Sequence, residues 1–406
     1  MSNTLLTIGM ITRETLRVLE NELTFTRQIN RSYDSQFAKA GAKIGNVLNV
    51  RLPVRFSYSN GQGLVLQDLT ESSVPVVLNT QYQRSFAITS SDLALSVDDF
   101  RKRFIEKAMK SMANQIDGDG LLLYKTVNNE VGTPGTVPNT VQTYLDAGTL
   151  LSNEAAPLED RCLVISPAMN GTIVGALTGL FNPQKTISGQ YKKGMMSEET
   201  VGFDWYMDQN CALHTVGLQG GTPLTNSATP QTGSSIITNG WTASQQVLNR
   251  GDIIQVAGVY AVNPQNLQSF NTLANFVVTA DVTSDGAGNA TIPIQINGSG
   301  IVASGPYQNV TQALPNSTAI SVNGAASTKS QRGLAFHPDA FTFASADLPL
   351  YGGLDMGDRI SDDQDLKMSI RVIRDYDINL DRAPLRMDLL GGWATLYPQL
   401  AVRIAS

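Results

Sequence analysis

Hydrophobic residues near the start of the chain recur at helical intervals, with charged residues between them. The apolar positions of this pattern are Ile8, Ile11, Leu16, Leu19 and Leu23. The spacing predicts an amphipathic helix within an N-terminal arm, which we place at residues 1–45.

From Val47 the pattern changes to an alternation of apolar and polar residues, which is typical of a strand with one buried face. One alternating run ends at Tyr58 and a second extends from Leu78 to Thr89, with glycine-rich turn residues between them. We therefore predict a long two-stranded hairpin over residues 46–90. Because an isolated two-stranded ribbon is marginal in water, this hairpin requires a partner surface.

A long helix is predicted after the hairpin. Ser96 has the character of an N-cap, and apolar residues from Val97 to Ile116 form one stripe. Mixed elements follow, with a helix near 140–152, a buried strand at 161–166 and a helix near 167–178.

Residues 217–328 differ from the rest of the chain because they hold only four charged residues, Arg250, Asp252, Asp281 and Asp285. Short apolar runs and frequent turn signals predict a small antiparallel barrel or sandwich here. Beyond this segment, alternation from Leu366 to Val372 and a closing run of Leu400, Val402 and Ile404 predict strands that return to the sheet beside the long helix.

Composition narrows the class of protein. With 406 residues, 42% hydrophobic and 16% charged, the chain has the make-up of a folded protein of two or three domains. It has no apolar run of about 18 residues, so no membrane contact is expected, and no export signal is visible. Two cysteines are too few for a disulfide framework.

Charge is distributed unevenly. The net charge of −6 argues against electrostatic binding of nucleic acid by the protein surface as a whole. Residues 1–56, however, carry eight basic side chains against four acidic ones, so the head of the chain is basic. We therefore expect any contact with a polyanion to be local.

Candidate chemical motifs are weak. The acidic positions from Asp375 to Asp381 have the spacing of a calcium loop, but Leu380 stands where that loop needs glycine. We interpret these side chains as solvated and paired with nearby arginines. A nucleophile pair of Cys211 and His214 is the remaining catalytic alternative, although thiols in apolar runs usually pack as small hydrophobes. We predict no enzyme, with no catalytic, cofactor or metal-binding residues.

A resemblance to a known family rests on four segments and on the order of the elements. The segments are Arg250-Gly-Asp-Ile-Ile-Gln-Val-Ala-Gly-Val-Tyr-Ala-Val-Asn-Pro264, Gly333-Leu-Ala-Phe-His-Pro-Asp-Ala-Phe341, Arg371-Val-Ile-Arg-Asp-Tyr-Asp377 and Arg386-Met-Asp-Leu-Leu-Gly-Gly392. They resemble the major capsid (coat) proteins of tailed bacteriophages, in the branch from short-tailed Salmonella phages that carries an insertion domain.

The resemblance implies an α+β fold of the Hong Kong 97 type with an inserted antiparallel β-barrel-like domain. Its implied parts are the N-terminal arm at 1–45, the extended loop at 46–90, the peripheral domain with its spine helix at 91–149 and 361–406, the axial domain at 150–216 and 329–360, and the insertion domain at 217–328.

The same resemblance implies the function. The chain would self-assemble, as pentamers and hexamers, into an icosahedral virion shell around a double-stranded DNA genome. Assembly would take place in the bacterial host cytoplasm, with a scaffolding protein and a portal as further partners. Residues 46–91 contain no lysine, so the covalent cross-link that some capsid proteins form through this loop is not expected. The alternative function is that of a secreted carbohydrate-binding or adhesive β-rich module.

Two sets of site residues follow from the resemblance. The extended loop would contact a neighbouring subunit through Arg51, Arg55, Asn60, Gln62, Asp68, Glu71 and Arg84. The inner surface would make weak, non-specific contact with DNA or scaffold through Arg13, Arg17, Arg27 and Arg31. For the arm, the alternative is that these arginines pair with Glu14, Glu20 and Glu22 on one helix.

Overall fold

The computed structural model describes residues 8–32, 47–56, 66, 71–89, 104–177, 200–350, 357–361 and 367–406. The chain divides into two compact units. Unit 1 comprises residues 1–50, 73–120 and 341–394, and unit 2 comprises residues 51–72, 121–340 and 395–406.

Helices and strands alternate without a simple repeat. The α-helices of the described residues are α1 (Ile8–Glu22), α2 (Glu106–Leu121), α3 (Val141–Asn153) and α4 (Pro167–Ala176). The strands are β1 (Val47–Arg51), β2 (Ser73–Val77), β3 (Thr80–Thr89), β4 (Glu130–Val131), β5 (Cys162–Ile165), β6 (Asp204–Met207), β7 (Leu213–Thr215), β8 (Gly221–Thr225), β9 (Ser235–Trp241), β10 (Gln246–Leu248), β11 (Ile253–Val262), β12 (Ser269–Val278), β13 (Val282–Thr283), β14 (Ala290–Gln295), β15 (Ile320–Val322), β16 (Lys329–Phe336), β17 (Phe341–Ala346), β18 (Gly357–Ser361), β19 (Ser369–Arg374), β20 (Arg382–Thr395) and β21 (Ala401–Ala405). This mixture confirms the α+β class.

Unit 1 is built on a five-stranded sheet. Its strand order is β17-β20-β19-β18, and β3 also pairs with β20. Helix α1 packs against β18 and β19, as the amphipathic pattern of the arm predicts. Met368, Ile370 and Val372 are completely buried, so the predicted inner face of this tail strand is confirmed.

The predicted hairpin over residues 46–90 has a different pairing in the structure. Strand β1 pairs with the short strand β2, while the alternating run from Thr80 to Thr89 forms β3 and pairs with β20 over ten residues. The alternation predicts which face of a strand is buried, and it carries no information about which strand lies beside it. The two predicted strands are therefore present, but most of the second belongs to a larger sheet.

Helix α2 forms part of the predicted spine. Ser96 lies outside the described residues, whereas Met112 and Ile116 of the predicted stripe are buried and Ala108 is half-buried. Gly120 remains helical, and a Cβ atom there would lie 2.5 Å from the ring of Trp393. The glycine therefore admits an aromatic ring against the helix backbone.

A buried carboxylate fixes the turn that follows α1. Asp117 on α2 accepts hydrogen bonds from the backbone N–H groups of Thr24 (2.7 Å) and Thr26 (2.9 Å) and from the Thr26 hydroxyl (2.5 Å). Because the carboxylate is only 2% exposed, these donors replace the water it has lost. The arm is thereby held on the spine helix.

One sheet of unit 2 has the order β4-β21-β16-β5-β6. Helix α3, strand β5 and helix α4 match the three elements predicted between residues 140 and 178. The last strand, β21, pairs with β16 and β4 here, although the sequence placed it beside the spine helix. Its side chains are buried throughout, and such a strand fits the interior of a sheet covered on both faces.

The inserted segment forms a six-stranded antiparallel sheet of order β15-β11-β12-β14-β9-β8. The sheet closes on itself, because the Thr225 N–H donates to Thr318 O (2.9 Å) and the Ser317 N–H donates to Thr225 O (2.9 Å). Its buried core draws only on residues between Ile236 and Ile320. The predicted barrel is confirmed, and we call it the inserted barrel.

In the described part of the chain, no helix has both the length and the apolar character needed to cross a bilayer.

Candidate functional site: the extended segment and a buried charge cluster

The extended segment, which we define as residues 51–56, 66 and 71–72, exposes apolar side chains. Phe56 is 71% exposed and Leu66 is 85% exposed. An ion pair of 3.3 Å joins Arg51 to Glu71, but both side chains are more than half exposed. Such a surface pair contributes little to stability. The segment therefore leaves apolar surface in water that a partner could bury.

Two of the arginines assigned to subunit contact bind their own chain. The Arg55 N–H donates to the Tyr307 hydroxyl at 3.3 Å. The Arg84 guanidinium donates to Ser111 (3.0 Å) and Gln115 (2.9 Å) on α2. Of the other predicted contact residues, Asn60, Gln62 and Asp68 lie outside the described residues.

The arginines of the arm differ in exposure. Arg13, Arg17 and Arg27 are exposed, whereas Arg31 is half-buried. Arg17 lies 4.0 Å from Glu14, one helical turn away, so this pair follows the alternative interpretation of the arm. Arg13 and Arg27 point to solvent and present basic charge on this surface.

A cluster of charged side chains is buried inside unit 2. The Glu130 carboxylate lies 2.5 Å from Arg403 Nε and 3.7 Å from Arg332. Asn323 donates a hydrogen bond to it at 2.8 Å, and Arg403 donates to the carbonyl of Gly251 at 2.6 Å. Burial lowers the pKa of the Arg403 guanidinium, and the neighbouring carboxylate opposes this shift. The cluster is stable only as a set, because each cation relies on the same carboxylate.

A second buried chain of hydrogen bonds lies beside the first. Tyr124 O–H donates to His214 Nδ1 (2.9 Å), and His214 Nε2–H donates to Asp252 (2.8 Å), with the tautomer assigned from these partners. The other Asp252 oxygen accepts from the N–H groups of Gly217 (3.0 Å) and Asn249 (2.8 Å). Burial lowers the pKa of His214 and raises that of Tyr124 to about 12. His214 is therefore neutral and fully hydrogen-bonded.

These contacts settle the remaining catalytic alternative. The pairing of Cys211 with His214 is wrong, because both ring nitrogens of His214 are bonded to other residues and burial raises the pKa of the Cys211 thiol. Asp252 itself is 2% exposed and is held by His214.

The acidic loop before β20 pairs with an arginine. Asp377 lies 3.3 Å from Arg382, and Asp381 accepts a hydrogen bond from the Tyr376 hydroxyl (2.8 Å). The interpretation of these residues as solvated acids with an arginine partner is confirmed for this pair. Over the residues that the structure describes, no group of three or more His, Cys, Asp or Glu side chains is arranged to hold a metal ion.

The buried cluster joins the inserted barrel to the rest of unit 2. Gly251, Asp252 and Asn323 come from the inserted segment and bond to Arg403, His214 and Glu130 outside it. Asp252 also accepts hydrogen bonds from Gly217 and Asn249 within the segment. This cluster was not predicted from the sequence, although Arg403 stands alone within the apolar run Ala401–Ala405. A lone charge inside a strand that is otherwise apolar indicates a buried ion pair.

Comparison with known protein families gives a match over nearly the whole chain. The family described as P22 coat protein, gene protein 5, matches residues 3–404. No curated protein matches the sequence.

Several solved structures are similar at low identity. A structure from Mycobacterium phage Che8 is 12% identical, covering 94% of this chain and 90% of that one, with a TM-score of 0.45. The capsid of cyanophage P-SCSP1u is 12% identical, covering 94% and 88%, with a TM-score of 0.47. The capsid of an empty GTA particle is 7% identical, covering 93% and 91%, with a TM-score of 0.38. The family match is the finding that bears on function.

Proposed function

Since the chain belongs to the P22 coat protein family, we propose that it assembles as pentamers and hexamers into an icosahedral shell around a double-stranded DNA phage genome. The protein is a major capsid protein that forms the virion shell, and this family is one of structural proteins. The family match replaces the alternative of a secreted carbohydrate-binding or adhesive module.

The observation that supports contact through the extended segment is its exposed apolar surface. In a single subunit Phe56 and Leu66 are surrounded by water, and burial against a neighbour would stabilise the assembly. Arg51 and Glu71, with Asn60, Gln62 and Asp68, would supply polar contacts around them. Because the Arg55 backbone binds Tyr307, the proposed part of Arg55 is to orient the segment. Arg84, which bonds to α2, would contact the neighbour from outside the segment.

Leu66→Ser is expected to raise the subunit concentration needed for assembly at least about tenfold. Full burial of a leucine contributes about 1.5–3 kcal/mol, and about 1.4 kcal/mol is a factor of ten in affinity. Sedimentation and electron microscopy of the products, with scaffolding protein present, would measure this change. The conservative variant Leu66→Met keeps an apolar side chain and should assemble normally.

Two further results complete this test. Deleting residues 60–70 should leave the subunit folded and abolish shells. Shells that form from Leu66→Ser at the normal subunit concentration would contradict the proposed contact.

The proposed partners on the inner surface are a scaffolding protein and, weakly, DNA. Contact with a polyanion is non-specific and depends on salt when it rests on a few arginines. A portal and assembly in the bacterial host cytoplasm belong to the same proposal. The exposed arginines of the arm support the proposed contact with scaffolding protein and DNA.

Replacing Arg13 and Arg27 together by glutamate is expected to reduce scaffold-directed assembly, with a deficit that changes with salt. Subunit stability should change by less than about 1 kcal/mol, since both side chains are exposed. Arg250→Glu on the inserted barrel is the matched control, because Arg250 is also exposed. Assembly yields equal to those of the unmodified protein at every salt concentration would exclude this role.

A further inference from the structure

The base of the extended segment is held by one residue of the inserted barrel. Tyr307, between β14 and β15, accepts a hydrogen bond from the Arg55 N–H at 3.3 Å. The Arg55 guanidinium carbon also lies 5.9 Å from the centre of the Tyr307 ring, within the range of a cation–π interaction. Backbone and side chain of Arg55 therefore contact the same tyrosine.

A buried carboxylate lies near the same arginine. Glu154, directly after α3, is 7% exposed and accepts a hydrogen bond from Asn297 of the inserted barrel at 3.0 Å. Asn263 of the barrel donates to the carbonyl of Asn153 at 2.9 Å. The end of α3 and the barrel thus meet at Glu154.

The ionisation of Glu154 depends on two opposing effects. Burial raises the pKa of this carboxyl to about 7, while the Asn297 hydrogen bond and the positive charge of Arg55 act in the opposite direction. Arg55 is the charged side chain that acts on it. The nearby Arg161 donates to the carbonyls of Ala156 and Pro157 and to Ser152, and so binds the chain around the end of α3. Near neutral pH, Glu154 therefore exchanges between a neutral and a charged form.

We propose that Tyr307 and Glu154 are positioning residues that anchor Arg55, set the direction in which the extended segment leaves the subunit, and hold it more tightly when Glu154 is ionised. Because Arg55 is only half-buried, the attraction between its guanidinium and the Glu154 carboxylate is modest. When the carboxyl is protonated, only the hydrogen bond and the ring contact remain. This inference rests on the proposed role of the segment in subunit contact.

The anchor and subunit stability depend on pH in opposite directions. Because the pKa of Glu154 is higher in the folded protein than its ordinary value, the folded state binds more protons between that value and about 7. The contribution of this group to stability therefore falls as pH rises through this window and is constant above it. The anchor becomes tighter over the same window. A group with a packing role alone would not change subunit stability and the tightness of the anchor in opposite directions.

Hydrogen–deuterium exchange of the Arg55 amide in unassembled subunits tests the anchor. Between pH 6 and pH 8, protection relative to the intrinsic exchange rate should rise about two- to fivefold, as expected for a partly exposed charge pair. Glu154→Gln should remove this rise and leave low protection at every pH. Tyr307→Phe, which lacks the hydroxyl acceptor, should lower protection at every pH and keep the rise.

The matched control is Glu159→Gln, since Glu159 is an exposed glutamate outside the anchor. Its protection should rise with pH as in the unmodified protein. Equal protection at pH 8 in Glu154→Gln and the unmodified subunit would overturn the proposal, as would unchanged protection in Tyr307→Phe. Exchange at the Arg55 amide is measured in unassembled subunits. A negative exchange result therefore does not affect the Leu66→Ser assembly test, and a negative assembly result does not affect the exchange measurement.

Discussion

Replacing Glu130 by alanine is expected to lower the free energy of unfolding of unit 2 by about 3–5 kcal/mol. The substitution leaves Arg403 and Arg332 buried without the carboxylate between them. Domains of this size are stable by about 5–15 kcal/mol, so the loss would be a large fraction of the total. Urea unfolding followed by the fluorescence of Trp205 and Trp241, both in unit 2, would measure the loss.

Two further variants serve as comparisons for the stability loss of Glu130→Ala. Glu130→Gln keeps an acceptor for Asn323 and removes only the charge, so its cost should be smaller. Glu71→Ala removes an exposed ion pair with Arg51 and should cost less than about 1 kcal/mol. If Glu130→Ala unfolds at the same urea concentration as Glu71→Ala, the buried cluster does not hold the barrel as we describe.

Gly120→Ala is expected to destabilise unit 1 by about 2–3 kcal/mol, although alanine is the better helix former. The new methyl group would lie 2.5 Å from Trp393 and 2.9 Å from Phe25, two rings that stack on each other and cannot both move aside. Thermal unfolding monitored by the Trp393 signal is the measurement.

A second helical glycine supplies the control for Gly120. Gly171 lies on α4 with no atom within 4 Å of the position that a Cβ would occupy. Gly171→Ala should therefore be neutral or stabilise the protein by up to about 1 kcal/mol. The same change in both helices is thus expected to have opposite signs. A stabilising Gly120→Ala would show that helix propensity outweighs the ring contact.

Local patterns in the sequence predicted elements well where burial has a period. Ile370 and Val372 of β19, with Met368 directly before it, lie on one buried face because alternate side chains of a strand point to the same side. Ser369 and Arg371 on the other face are buried as well, which the alternation did not predict. The inserted barrel was predicted from its short apolar runs and turn residues. In these places the signal is contained in a few neighbouring residues.

Contacts between distant segments could not be predicted in this way. Glu130 and Arg403 are separated by most of the chain, and each alone is an ordinary charged residue. Likewise, the alternation in β3 does not reveal that β20 is its partner, since any strand with a matching face would satisfy it. The anchor at Arg55 depends on Tyr307 and Glu154, which only the folded chain brings together.

The two ends of the inserted barrel meet at one place. The Val216 N–H donates to Thr328 O at 3.0 Å, and the Ser327 N–H donates to Gly217 O at 3.2 Å. A segment whose ends are adjacent can be gained, lost or exchanged during evolution without altering the path of the flanking strands β7 and β16. The same junction is a natural position for genetic grafting of foreign domains onto the coat, provided that the replacement supplies the hydrogen-bond partners that Asp252, Asn323 and the Gly251 carbonyl now give to His214, Glu130 and Arg403.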